Sequence, residues 1–193
     1  MQVEVLPLRN CSSVILAVLC IAPSLLAAEG IAKVFDDQLS TVEREVLGLA
    51  QKMPADKYDF APTSPGTFTG VRTYALQVRH IATEIFRIAE ALNGEKAPVE
   101  IGPSDNGPDT LKTKEQILDY LKTAIAFARK GVATITEKNM NDPVPFGRNG
   151  TRASAAAFIG LHTYDHYGQM VVYSRMNGVV PGGGPPPPVK GKQ

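Results

Sequence analysis

An all-α fold, a four-helix bundle, is what this sequence predicts, and three observations predict it. Four stretches repeat apolar residues every three to four positions, and Pro- and Gly-rich segments separate them. No stretch alternates with period two over a useful length, apart from a short hairpin candidate around 144–150. The chain has 193 residues, 44% of them hydrophobic, which is enough for one domain with a sizeable core. Its 20 basic and 19 acidic side chains leave a net charge of +1, so there is no excess positive field for nucleic acid or an anionic membrane.

Residues 1–28 stand apart. Arg9 precedes the apolar run CSSVILAVLCIAP, and SLLAAEG then supplies the small residues accepted at signal-peptide cleavage sites. The run is shorter than the ~20 residues of a membrane-spanning helix and Pro23 interrupts it, so a signal cleaved after Ala28 is expected rather than a retained anchor. Cys11 and Cys20 both lie in this segment, which would leave the mature chain without thiol, disulfide or Cys-ligated zinc. Leu19 stands where lipid attachment at Cys20 would want a small residue. The expected location is therefore periplasmic or secreted, without stable membrane insertion.

The domain is read over residues 29–180. The first helix carries Ile31, Phe35, Leu39, Val42, Val46, Leu49 and Met53 as its stripe and is ended by Pro54. The loop ADKYDFAPTSPGTF follows, and its prolines argue against any helix there. The second helix runs from about Thr69 to Leu92, with Asn93-Gly94 as its stop. From Gly94 to Thr110 a long Pro/Gly/Asp connector can carry the chain along the bundle rather than merely reverse it. The third helix spans about Lys112 to Thr136, and the fourth runs from Arg152 to about Asn177 with Thr151 as its cap. Residues 181–193, GGGPPPPVKGKQ with the preceding proline, lack the apolar content to pack and are expected to be a disordered tail.

The chain has three histidines. In LHTYDHYGQM, His162 and His166 lie ~40° apart on one helical face, where two imidazoles one turn apart can aim at one point. Taken alone, such a pair packs more often than it chelates, although packing requires hydrogen-bond partners for every ring nitrogen. His80 sits ~200° from Val78, the centre of its helix's apolar stripe. It is therefore either a surface residue or part of a second buried face that another subunit would cover. Glu84, one turn on, is a candidate carboxylate ligand or acceptor, with pairing to Arg87 or Lys96 as the competing reading.

These residues resemble a known family, the DinB-like (DinB/YfiT-like) four-helix proteins, on the strength of VRHIATE in the second helix and HTYDHYGQMVVYSRMNG in the fourth. The resemblance covers roughly Gly30 to Pro181. It implies that His80, His162 and His166 bind one divalent metal ion, zinc or nickel foremost, with positions left for water or a small-molecule substrate. It also permits an up-down-down-up helix order and implies a homodimer. Relatives include thiol-cofactor-dependent S-transferases and a maleylpyruvate isomerase, and an export signal does not suit cytosolic thiol transfer. The reading is a metal-dependent enzyme using a metal-activated water or thiol. Its alternative is a non-catalytic metal- or ligand-binding protein of the cell envelope or stress response. Asp165, Tyr164, Tyr167, Gln169 and Tyr173 are candidates for the surroundings of the ion, and no catalytic residue is assigned.

Overall fold

The computed structural model describes residues 30–63 and 70–183. The expected export signal, residues 64–69 of the first loop, and the tail beyond Gly183 lie outside the described residues. No described helix is long and apolar enough to cross a membrane.

Helix α1 (Ile31–Val42) continues through a π-helical turn (Glu43–Leu47) into a closing segment (Gly48–Lys52). The π-turn was not legible in the periodicity. Around it Val42, Val46, Leu47, Leu49 and Ala50 are all buried, a denser inward set than a regular helical stripe supplies. The proline-rich loop does contain one tight helical turn, Ala55–Lys57, against expectation. Pro54 precedes it, where a fixed φ and a missing N–H cost nothing.

Helix α2 (Tyr74–Asn93) begins later than expected, because Thr73 adopts an extended backbone and its side chain accepts from Leu76 N. Gly94, at φ 68°, closes it through a bond from its N–H to the Glu90 carbonyl. Helix α3 (Lys114–Val132) starts on a reciprocal capping box between Thr113 and Gln116. It ends before Thr136, but Ile135 remains buried on the turns that follow. Helix α4 (Arg152–Met176) starts at the Thr151 cap as expected. The hairpin candidate reduces to one isolated bridge, Pro143 with Thr151, plus the bond from Val144 N to Gly150 O.

Side-chain contacts fix the helix directions. Arg129, late in α3, reaches Asp36 and Glu43, whereas Lys114, at its start, reaches the Gln51 and Met53 carbonyls; α1 and α3 are antiparallel. Asn93 bonds the Phe127 carbonyl and Thr83 bonds Tyr120, so α2 and α3 are parallel. Arg152 meets the end of α2 at Leu92 while Gln169 meets its start at Gln77, which makes α2 and α4 antiparallel. The order is up-down-down-up.

Two parallel neighbours need a connection that returns along their length. The connector does so on the outside of α2. Ala97 N bonds Glu90, the Ser104 carbonyl accepts from Arg87, and the Asp105 side chain accepts from Arg72. Gly107, at φ 71°, lies so close to α2 that an added Cβ would stand 2.5 Å from Thr83 Oγ1. The side of α2 that the sequence assigns to solvent or to a second subunit is thus covered by the chain's own connector. As a result Arg79, His80 and Thr83 are buried.

Candidate metal centre

His80 comes from the first half of α2, and His162 and His166 from the middle of α4. The antiparallel packing of these helices brings them together. Each offers a ring nitrogen within 4.8 Å of the others, so the three histidines could hold a metal ion. His80 and His166 are buried and His162 is half-buried. His80 therefore joins the pair despite its position off the apolar stripe, because the connector buries it.

The Asp105 carbonyl lies 2.7 Å from His80 Nδ1, and a carbonyl can only accept, so the proton sits on Nδ1 and Nε2 carries a lone pair. His166 Nδ1 donates to Gln77 Oε1 at 2.8 Å, while Gln77 Nε2 donates to Gln169 Oε1 at 2.8 Å. That chain leaves His166 Nε2 unprotonated as well. His80 Nε2 and His162 Nε2 are 3.2 Å apart and share the proton of His162. Two nitrogens on a tetrahedral zinc, with bonds of about 2.0–2.1 Å, stand about 3.3 Å apart. The residues fit a small divalent ion, which would take the place of the shared proton.

The electrostatics point the same way. Burial, then the neighbouring His80 and His162 rings, pushes the His166 imidazole down to about 4. Burial and His80 also lower His162, against opposing contributions from Glu84 and Asp165. Both shifts favour the neutral imidazole, the form a metal requires. Phe158 stacks on His162 at 5.8 Å between ring centres, and Phe146 packs on Phe158 in turn.

The other candidates separate. Gln169 belongs to the hydrogen-bond chain behind His166. Glu84 is tied to Arg87 at 2.7 Å, and Lys96 pairs with Glu90 instead. Tyr164 bonds Glu45 in the π-helical turn after α1 and packs edge-on against Tyr167, while Asp165 is exposed. Tyr173 is buried against Phe60. Sequence reasoning missed Gln77 and the Asp105 carbonyl. Gln77, one turn before His80 and lacking any place in the apolar stripe, was the available signal; a backbone carbonyl leaves none.

Residues 38–170 match the family model described as DinB superfamily. A crystal structure titled as the conserved protein of a locus from Enterococcus faecalis is similar at a TM-score of 0.57 and 16% identity, covering 77% of this chain and 98% of that one. At that identity the likeness shows the fold. No curated protein matches the chain.

Proposed function

Starting from a chain that belongs to the DinB superfamily, we propose that it binds one divalent metal ion, zinc or nickel foremost, through His80, His162 and His166. The carrying observation is the convergence of the ring nitrogens within 4.8 Å, with Nδ1 of His80 and of His166 committed behind them. Three neutral donors leave coordination positions for a further ligand. An ion there would act as a Lewis acid and make water or a thiol nucleophilic near neutral pH. This chain's residues would hold and orient: Asp105 fixes His80, Gln77 fixes His166, and Phe158 shields one side of His162. The proposed role is that of an exported metal-dependent enzyme of the thiol-transferring or hydrolytic kind, working in the periplasm or outside the cell.

The second reading is a non-catalytic metal- or ligand-binding protein of the envelope or stress response. It is favoured by the engagement of Glu84 with Arg87, which leaves the carboxylate nearest in sequence to His80 without freedom to move protons. Elemental analysis of the purified mature chain tests the ion, with stoichiometric metal expected in the wild type and none after His162→Ala. Equal, substoichiometric metal in both would overturn the site. Assays with thiol-reactive electrophiles and simple esters separate the two readings, and sequencing the N-terminus after expression in a secreting host tests cleavage near Ala28. A homodimer, the remaining expectation, would find exposed apolar side chains on α4 at Leu161, Val172 and Met176. Sedimentation tests it.

A further inference from the structure

A carboxylate stands beside His80 and does not bond it. The ring Nδ1–H goes to the Asp105 backbone carbonyl at 2.7 Å, while Oδ2 of the same residue lies 4.0 Å away, beyond hydrogen-bond reach. On strength alone the order would be reversed, because a bond from an imidazole to a carboxylate is charge-assisted and roughly twice as strong as one to a neutral carbonyl. Something has to hold the carboxylate off.

Arg72, the residue before the Thr73 cap of α2, does so. Its Nη2 donates to Asp105 Oδ2 at 2.7 Å and its Nε to Asn106 Oδ1 at 2.6 Å. The carbonyl that His80 uses belongs to the peptide joining those two residues, so the guanidinium grips that peptide from both sides. The N–H of the same peptide, on Asn106, donates to Ser104 Oγ at 3.1 Å, and both polar ends of the unit are thereby engaged. Arg87 also holds the connector, but through the Ser104 carbonyl. The Arg72 side chain is 27% exposed and that of Asp105 52%, so their ion pair adds little stability of its own. What it fixes is which oxygen of Asp105 faces the imidazole.

We propose that Arg72 is a positioning residue of the metal centre: by holding the Asp105 carboxylate it keeps a neutral carbonyl as the acceptor behind His80. The inference rests on the metal site proposed above. A carboxylate behind a ligating histidine raises the basicity of the ring. With a carbonyl there instead, His80 donates less electron density through Nε2, which leaves an ion at the site more strongly Lewis-acidic and less tightly held. Arg72 thus favours electrophilicity over affinity, which suits the enzymatic reading better than the storage of an ion.

The test replaces Arg72 by Gln and follows the His80 Nδ1–H proton by NMR in the metal-free and the zinc-loaded chain. Released from the guanidinium, the Asp105 carboxylate should take that proton and move its resonance downfield, and zinc should bind about tenfold more tightly in competition with a chelator. Asp105→Asn added to Arg72→Gln keeps the backbone carbonyl and removes the carboxylate, so both the shift and the added affinity should disappear. Arg87→Gln loosens the same connector without freeing the Asp105 side chain, and should leave the resonance in place. An unmoved resonance or zinc binding no tighter than wild type in Arg72→Gln would overturn the proposal, as would an equal shift in Arg87→Gln or in the double variant. Should the wild type bind no zinc, the metal site itself falls, while the proton resonance still decides whether Arg72 withholds the carboxylate.

Discussion

The two buried faces of α2 are made of different material. One carries Val78, Ile81, Ile85, Ala89 and Leu92 into the apolar core between the helices. The other carries Gln77, Arg79, His80 and Thr83 against α4, the returning connector and Tyr120 of α3, through hydrogen bonds of defined length. The apolar face stabilises through area and volume and tolerates many side chains of similar size. The polar face tolerates few, because its side chains are held by specific hydrogen bonds and removing one partner leaves a buried polar group unpaired. On this view the first face supplies stability and the second supplies geometry.

That division can be broken experimentally. The largest effect is expected from His162→Ala, which should abolish stoichiometric metal in elemental analysis while circular dichroism keeps its helical signature. Next, Ile85→Ala on the apolar face should cost about 2–5 kcal/mol in denaturant unfolding and leave metal per folded molecule unchanged. Loss of metal in that variant would show that the two faces are not separable. Gly107→Ala forces a side chain into a left-handed backbone and against Thr83, so a stability loss of about 1–3 kcal/mol is expected. Because this also shifts the Asp105 carbonyl, weaker metal binding should accompany it. Gln77→Ala should lower metal affinity by about 10–100-fold in competition with a chelator.

The smallest effect tests a control region remote from both faces. Glu137 accepts from Ile31 N and thereby caps α1, whose N-cap Gly30 has no side chain to do so. Its carboxyl is held below the usual range by bonds from its own N–H and that of Ile31. A lowered folded value means that this contribution is present above the ordinary carboxylate range and fades as pH falls through the folded value. Glu137→Gln should flatten that part of the acid unfolding curve slightly and leave metal binding unaltered.

Much of the apolar face was legible in the sequence. The stripes of α2, α3 and α4 and the Thr151 cap all follow from side chains whose preferences act locally. The polar face was legible only as a list of residues. A helical wheel gives a helix one inward direction, and on it His80 points away from Val78; only the path of the connector supplies the second direction. That path rests on backbone carbonyls at Asp105 and Gly107, and carbonyls are the same in every residue. The π-turn of α1 was hidden for a related reason, since a single extra residue in a turn barely disturbs a pattern read over several turns.

His80 and His162 stand 82 residues apart, on helices that the chain visits separately. Between Gly30 and the end of the sequence there is no cysteine. A metal ion on the histidines would be the one cross-link available to this stretch of chain, closing a loop through most of the bundle. It would bind the folded chain and not the unfolded one, and at a free concentration a hundredfold above its dissociation constant would add about 2.7 kcal/mol. Chelation would then be felt as lost thermal resistance throughout the bundle, far from the imidazoles themselves.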